Sequence, residues 1–299
     1  MRQLFYKLIY QEHVNYVLRN LNQLFLGLLP CKIKLPPSGM IKMFDSKGKP
    51  IAVHTNQTNY LTHLLFWEGG AMKFEYTPLF VQLIKKVNTF YDIGANIGYY
   101  SLLAASENKE AVIVGFEPAS GPLYYFRKNV EANNFHQIRI ESIALAEKEG
   151  ELTFFEIKNK KYHYLEHNLA GESNAGSKTI GKNFVPVNVI SSTLDMYAQK
   201  HNDIIDLIKM DTEGTEHLIL QKSQHVLETM KPIIICETLF NTIENELEIV
   251  MKSHGFLFFN HVPEGLKQVE GITRTTDDGV RNCFFVHPSK VHLIQEFIV

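Results

Sequence analysis

The stretch Phe90-Tyr91-Asp92-Ile93-Gly94-Ala95-Asn96-Ile97-Gly98-Tyr99-Tyr100-Ser101 decides the fold. A β-rich run enters a tight glycine turn and continues into a helix, which aims backbone N–H groups at a ligand. Gly94 permits unusual φ and close approach, and Gly98 lets the helix start pack tightly. Two nucleotide-type ligands compete for such a turn. A dinucleotide site expects G-x-G-x-x-G and a loop free of negative charge, because a pyrophosphate sits on it. Here the spacing is G-x-x-x-G, and Asp92 precedes the first glycine. A carboxylate repels pyrophosphate but suits the ammonium group of S-adenosylmethionine, which carries no phosphate. The loop therefore favours the sulfonium cofactor over a nicotinamide dinucleotide.

Outward from this turn, short apolar runs alternate with longer amphipathic ones. Strands are expected at 89–93, 112–117, 138–145, 207–211, 233–237, 256–260 and 282–287, with helices at 98–106, 121–133, 192–201, 215–230 and 244–254. Nearly continuous β-branched strands alternating with helices imply a mostly parallel sheet covered on both faces. No convincing crossover helix precedes the last strand, so antiparallel pairing is expected there. The result is a doubly wound α/β domain over 88–299. Before it, 36–87 reads as an α+β extension with a hairpin around Asp45-Ser46-Lys47-Gly48. Within the domain, 158–183 is a polar insertion, read either as a lid or as a disordered segment.

Val114-Gly115-Phe116-Glu117-Pro118 places an acid at the end of the next strand, where a carboxylate can accept both hydroxyls of a ribose. A third motif, Ile208-Lys209-Met210-Asp211-Thr212-Glu213-Gly214-Thr215-Glu216, follows a central strand. Together with Leu123, Asn129 and Asn133 behind Glu117, these motifs resemble the FkbM family of S-adenosylmethionine-dependent methyltransferases over about residues 88 to 260. The resemblance implies the class I, Rossmann-like methyltransferase fold with a seven-stranded sheet, and O-methylation of a hydroxyl on a sugar, glycan or related metabolite. Carried over by position, it implies that Asp92, Gly94, Ala95, Asn96 and Gly98 form the methionine-contacting loop. It further implies that Glu117 holds the ribose and that the end of the third strand, near Ala144, meets the adenine. Lys222 stands where the family often has glycine; a lysine there is strained if φ is positive, so a turn that differs from the family's is expected.

Methyl transfer to a hydroxyl needs the oxygen placed in line with the sulfonium methyl and its proton removed. Asp211, Glu213 and Glu237, at the C-terminal ends of two neighbouring strands, are the candidate catalytic residues, and Asp211 is also a candidate cofactor contact. His217 is a further candidate base, although a helical histidine is more often simply exposed or satisfied. Glu216 reads equally as a cap of the helix that follows. No spacing of carboxylates, His or Cys demands a metal, and none is assigned. A non-enzymatic cofactor-binding protein with a decayed acceptor site is the remaining alternative, which the retained carboxylates at 92, 117, 211 and 213 disfavour.

Thirty Lys and Arg against thirty-two Asp and Glu give a net charge of −2, which excludes a nucleic-acid binder working by bulk charge. Cys31, Cys236 and Cys283 are far apart and read as reduced thiols, in keeping with a cytoplasmic chain. Residues 1–35 read as an amphipathic helix with five basic residues and one acid. Such a helix packs on its own domain or on a partner; the alternative is peripheral membrane contact through 1–30, at the inner face of a membrane.

Overall fold

In the computed structural model, which describes residues 2–25, 34–157, 161–169 and 184–299, the chain opens with helices α1 (Arg2–Ile9) and α2 (Glu12–Leu24). Strands β1 (Gly39–Phe44) and β2 (Pro50–Thr55) form the expected antiparallel hairpin, followed by α3 (Tyr60–Trp67) and α4 (Thr77–Ile84). The domain then runs β3 (Thr89–Ile93), α5 (Tyr99–Glu107), β4 (Val112–Phe116), α6 (Ser120–Asn133) and β5 (Ile138–Glu141). Next come β6 (Ala144–Leu145), β7 (Gly150–Ile157), β8 (Phe184–Ser192), α7 (Leu194–His201) and β9 (Leu207–Met210). The chain ends with α8 (Glu216–Leu220), β10 (Ile233–Glu237), α9 (Glu244–Ser253), β11 (Leu257–Val262), β12 (Gly265–Val269) and β13 (Asn282–Val286).

The large sheet has the order β12-β11-β13-β10-β9-β3-β4-β5, parallel from β10 through β5. β13 pairs antiparallel with both β10 and β11, as the missing crossover implied. The sheet has eight strands rather than seven, because β12 adds an antiparallel edge through a tight turn after Val262. Residues 138–145 are not one strand: β5 stays in the large sheet, whereas β6 joins β8 and β7 in a separate three-stranded sheet. The hairpin β7–β8 escapes a periodicity reading because its residues are almost all exposed or half-buried, with no regular alternation, and mix polar with apolar types. The expected 215–230 helix is also interrupted, giving α8 and then a π-helical turn, Val226–Met230. Lys222 is not among the residues with positive φ, so no strained turn forms there; Lys231 takes that conformation instead.

The 36–87 extension shares the core of the domain. Ile41, Val53, Phe80 and Leu83 pack in one buried cluster with Phe90, Leu102 and Phe284. Its registration explains two of the motif asparagines. Asn129 Oδ1 accepts from His54 N and its Nδ2 donates to the Ile97 carbonyl at 3.0 Å, while Asn133 brackets Ala52 through both of its amide atoms at 2.8 Å. Two side chains of α6 thus replace ladder bonds along the outer edge of β2 and tie it to the β3–α5 turn. The candidate site lies at the C-terminal ends of the parallel strands, where this turn also sits.

The N-terminal segment departs from the single amphipathic helix expected over 1–35. It breaks at Tyr10–Gln11, and 26–33 lie outside the described residues. The face turned to the protein is polar: buried Asn15 and Arg19 bond to the backbone carbonyls of Pro36, Ser38 and Met40, and Asn15 also accepts from Ser38 N. Among the described residues, no helix is long and apolar enough to cross a membrane.

Candidate active site

A cavity of about 700 Å³ opens at the C-terminal ends of β3, β4, β9 and β10, the place where open α/β sheets bind ligands. Gly94, Ala95, Asn96, Glu117, Ala144, Asp211, Glu213 and Glu237 all line it. One element from each of five regions meets there, as the sequence motifs imply.

The β3–α5 turn is built for close approach. Gly94 has φ +74°, and a Cβ there would overlap the Asp211 carbonyl oxygen at the end of β9. Gly94→Ala is therefore expected to push apart the two strand ends that frame the cavity, costing about 2 kcal/mol of stability; chemical denaturation measures it. Gly98 does not line the cavity. A Cβ there would meet the Phe126 ring, so its role is to seat α5 against α6.

Asp92 likewise lies behind the wall rather than in it. It is buried, and its Oδ2 accepts from Ser101 N at 3.0 Å and Ser101 Oγ at 2.7 Å, capping the start of α5 from the preceding strand. The direct ammonium contact expected from sequence thus becomes a supporting position. Asp92 Oδ1 has no hydrogen-bond partner and lies 3.8 Å from Lys209 Nζ. Burial raises the Asp92 pKa, with Lys209 and Ser101 opposing.

Lys209 links the whole arrangement. Its buried ammonium donates to the Gly94 carbonyl at 3.0 Å and lies 3.5 Å from Asp211 Oδ2. Burial pulls its pKa down, but Asp211, Asp92, Glu75 and Glu237 outweigh that and hold it above the ordinary lysine value. A buried ammonium surrounded by carboxylates stays charged.

Glu117 ends β4 with its carboxylate turned back over the turn. Oε2 accepts from Asn96 N at 2.8 Å and Oε1 from Ala119 N at 2.8 Å. Each oxygen keeps a second lone pair, so the side chain can still accept two hydroxyls. Burial pushes its pKa up to about 7 against those two N–H bonds.

A cluster of further carboxylates lines the same cavity as Glu117. Glu213 has φ +60° and Gly214 +102°, and this bend turns both Asp211 and Glu213 inward. Glu216 takes the structural role: it is buried and accepts from Thr212 N at 2.6 Å and Gly214 N at 3.1 Å, locking the bend. His217 does not line the cavity. Burial, followed by Asp211, Glu213 and Glu216, pushes the Glu237 pKa up to about 8.

Sequence reasoning missed Glu75. It precedes α4, has φ +40° and lines the cavity between Phe74 and Tyr76. Burial and Asp211 raise its pKa, with Lys209, Asn282 and Tyr100 opposing. No spacing marks it; only the strained backbone, visible in three dimensions, does so. Tyr76 stacks on Tyr100, with ring centroids 5.0 Å apart, and both line the same side. The described part of the insertion, 161–169, adds Tyr162 and Asn168 to the wall; 158–160 and 170–183 lie outside the described residues. Tyr162 is packed edge-on against Tyr6 and Tyr10. Among the described residues, no group of three or more His, Cys, Asp or Glu side chains is arranged to hold a metal ion.

The raised Glu237 carboxylate carries a pH signature. A carboxylate that keeps its proton in the folded state above its ordinary value of 4.5 stabilises the fold fully below that value, and the contribution disappears as pH rises toward 8. The stability of ligand-free wild type minus that of Glu237→Gln is therefore expected to fall between about pH 5 and 8. Thermal melts of both proteins across that range check the sign.

The sequence from residue 92 to 258 matches the model of the methyltransferase FkbM domain, which is more than half of the chain. The chain belongs to the FkbM methyltransferase family. The methyl donor of this family is S-adenosylmethionine, and the donor set fits it: a diol acceptor at Glu117, an apolar edge at Ile143–Leu145 and a negative wall for a cation. No curated protein matches the sequence. Among solved structures, the FkbM-family chain is similar to methyltransferase FkbM from Methylobacillus flagellatus, with 14% identity and a TM-score of 0.42 over 67% of this chain and 43% of that one. The S-adenosylmethionine-dependent methyltransferase from Agrobacterium tumefaciens has 11% identity and a TM-score of 0.42, covering 84% and 71%. TYW2 from M. jannaschii, in complex with AdoMet, has 10% identity and a TM-score of 0.38, covering 84% and 88%. The chain spans less than half the length of the Methylobacillus protein.

Proposed function

We propose that the protein transfers a methyl group from S-adenosylmethionine to a hydroxyl oxygen of a sugar, glycan or related small metabolite. The observation that carries this reading is the cluster of Asp211, Glu213, Glu237 and Glu75 lining the same cavity as Glu117. S-adenosylmethionine, when bound, supplies a methyl group on a positively charged sulfur. Glu117 accepts from its ribose hydroxyls, and the residues at 143–145 flank its base. The carboxylate cluster favours the cationic donor and offers acceptors to an incoming hydroxyl, which it orients and from which it takes the proton. Glu237, whose pKa burial and its carboxylate neighbours push up to about 8, is the member of that cluster assigned to take the proton. Asp211 and Glu213 hold the acceptor and sustain that raised value through their charge.

A nicotinamide dinucleotide is a poorer occupant. Its pyrophosphate would need the N-terminus of α5, whose Ser101 N–H already bonds to the Asp92 carboxylate. Mass spectrometry of a panel of sugars, glycans and hydroxylated metabolites incubated with methyl-labelled donor tests the proposal. Gain of one labelled methyl on oxygen is expected; transfer to nitrogen or carbon would overturn it.

A further inference from the structure

The N-terminal helix pair is mounted in reverse of the usual amphipathic arrangement. Surface helices bury an apolar stripe and expose charge. Here α2 buries Asn15 and Arg19, with Arg19 Nη1 donating to the Ser38 carbonyl at 2.8 Å. The apolar side chains Val17, Leu18, Leu21, Leu24 and Phe25 face outward, with Leu24 77% exposed. On α1, Leu4, Phe5 and Leu8 are also exposed, Leu4 at 74%. The helices are held in this pose rather than loosely attached. Gln3 Nε2 donates to the Lys161 carbonyl at 2.9 Å, and Tyr6 and Tyr10 pack edge-on against Tyr162.

We infer that this outward face docks on the surface of an anionic lipid bilayer. A two-helix seam with another copy would need a narrow stripe of two positions per heptad. The exposed set, at spacings i, i+1, i+4 and i+7 on α2, covers a wider arc suited to the flat headgroup boundary. Phe5 and Phe25 supply interfacial aromatics. The exposed cations Arg2 and Lys7 lie on α1 beside its apolar residues, and Glu12 is the only acid among residues 2–25. That charge balance selects an anionic surface over a neutral one. This inference is independent of the methyl-transfer reading.

The test is co-sedimentation of the full chain with phosphatidylcholine vesicles containing about 30 mol% phosphatidylglycerol, at low salt. The wild-type protein is expected to pellet, and to pellet less with pure phosphatidylcholine. The variant Leu4→Glu/Leu8→Glu/Val17→Glu/Leu21→Glu is expected to lose binding by tenfold or more, with unchanged affinity for S-adenosylhomocysteine as the check of its fold. Should that variant misfold, Leu8→Ser/Leu21→Ser is expected to show a smaller loss in the same direction. Wild-type protein remaining in the supernatant, or a folded variant pelleting as well as wild type, would overturn the inference. So would vesicle-free self-association that these substitutions abolish, since a second copy would then cover the face.

Discussion

Replacing Glu117 by alanine is expected to weaken binding of S-adenosylmethionine by about 2–3 kcal/mol, roughly 30- to 140-fold. The figure follows from losing two charge-assisted hydrogen bonds to a diol in a buried site. Glu117 also accepts from Asn96 N and Ala119 N, so the variant frees the β3–α5 turn that it clamps. Isothermal calorimetry on the purified variant reads the loss. An unchanged dissociation constant would remove Glu117 from the cofactor site. A proton on Glu117 competes with the ribose, and its pKa is pushed up to about 7, so wild-type affinity should improve as pH rises through that value.

Asp211→Asn, Glu213→Gln and Glu237→Gln should each lower single-turnover methyl transfer by about 100-fold, with donor bound at saturation. The three variants differ in a second readout. Glu237→Gln should abolish a rate increase that ends below about pH 8, the value set in the ligand-free protein. Asp211→Asn should move that increase to lower pH, because the Asp211 charge is the largest cause after burial of the raised Glu237 pKa. Bound donor, being a cation, shifts the same limb downward in all proteins. Near-wild-type rates in all three would place proton removal elsewhere in the cavity or show that none is required.

Much of this was legible in residues 90–101, 114–118 and 208–216, because each motif sits where a parallel strand ends and topology fixes where those ends converge. Periodicity located the parallel strands because their burial on both faces leaves almost no polar residue to blur them. The same reasoning missed β7, β8 and β12, which are largely exposed or half-buried without regular alternation and so carry no clear strand period. It assigned Asp92 to the ligand because the motif gives proximity to the turn but not side-chain direction; the structure points that carboxylate into the start of α5. Glu75 gave no signal, since its approach to Asp211 depends on α4 packing across the sheet. The sequence of the N-terminal segment does not tell which face meets the protein, since that depends on Asn15 and Arg19 finding the carbonyls of 36–40.

The most direct test of the central claim is a crystal structure of the protein with S-adenosylhomocysteine. The ribose hydroxyls should lie within hydrogen-bond distance of Glu117, and the adenine against Ile143–Leu145. The sulfur should face the side of the cavity lined by Asp211, Glu213 and Glu237. A product bound with its ribose away from Glu117, or with its sulfur turned from those carboxylates, would contradict the account.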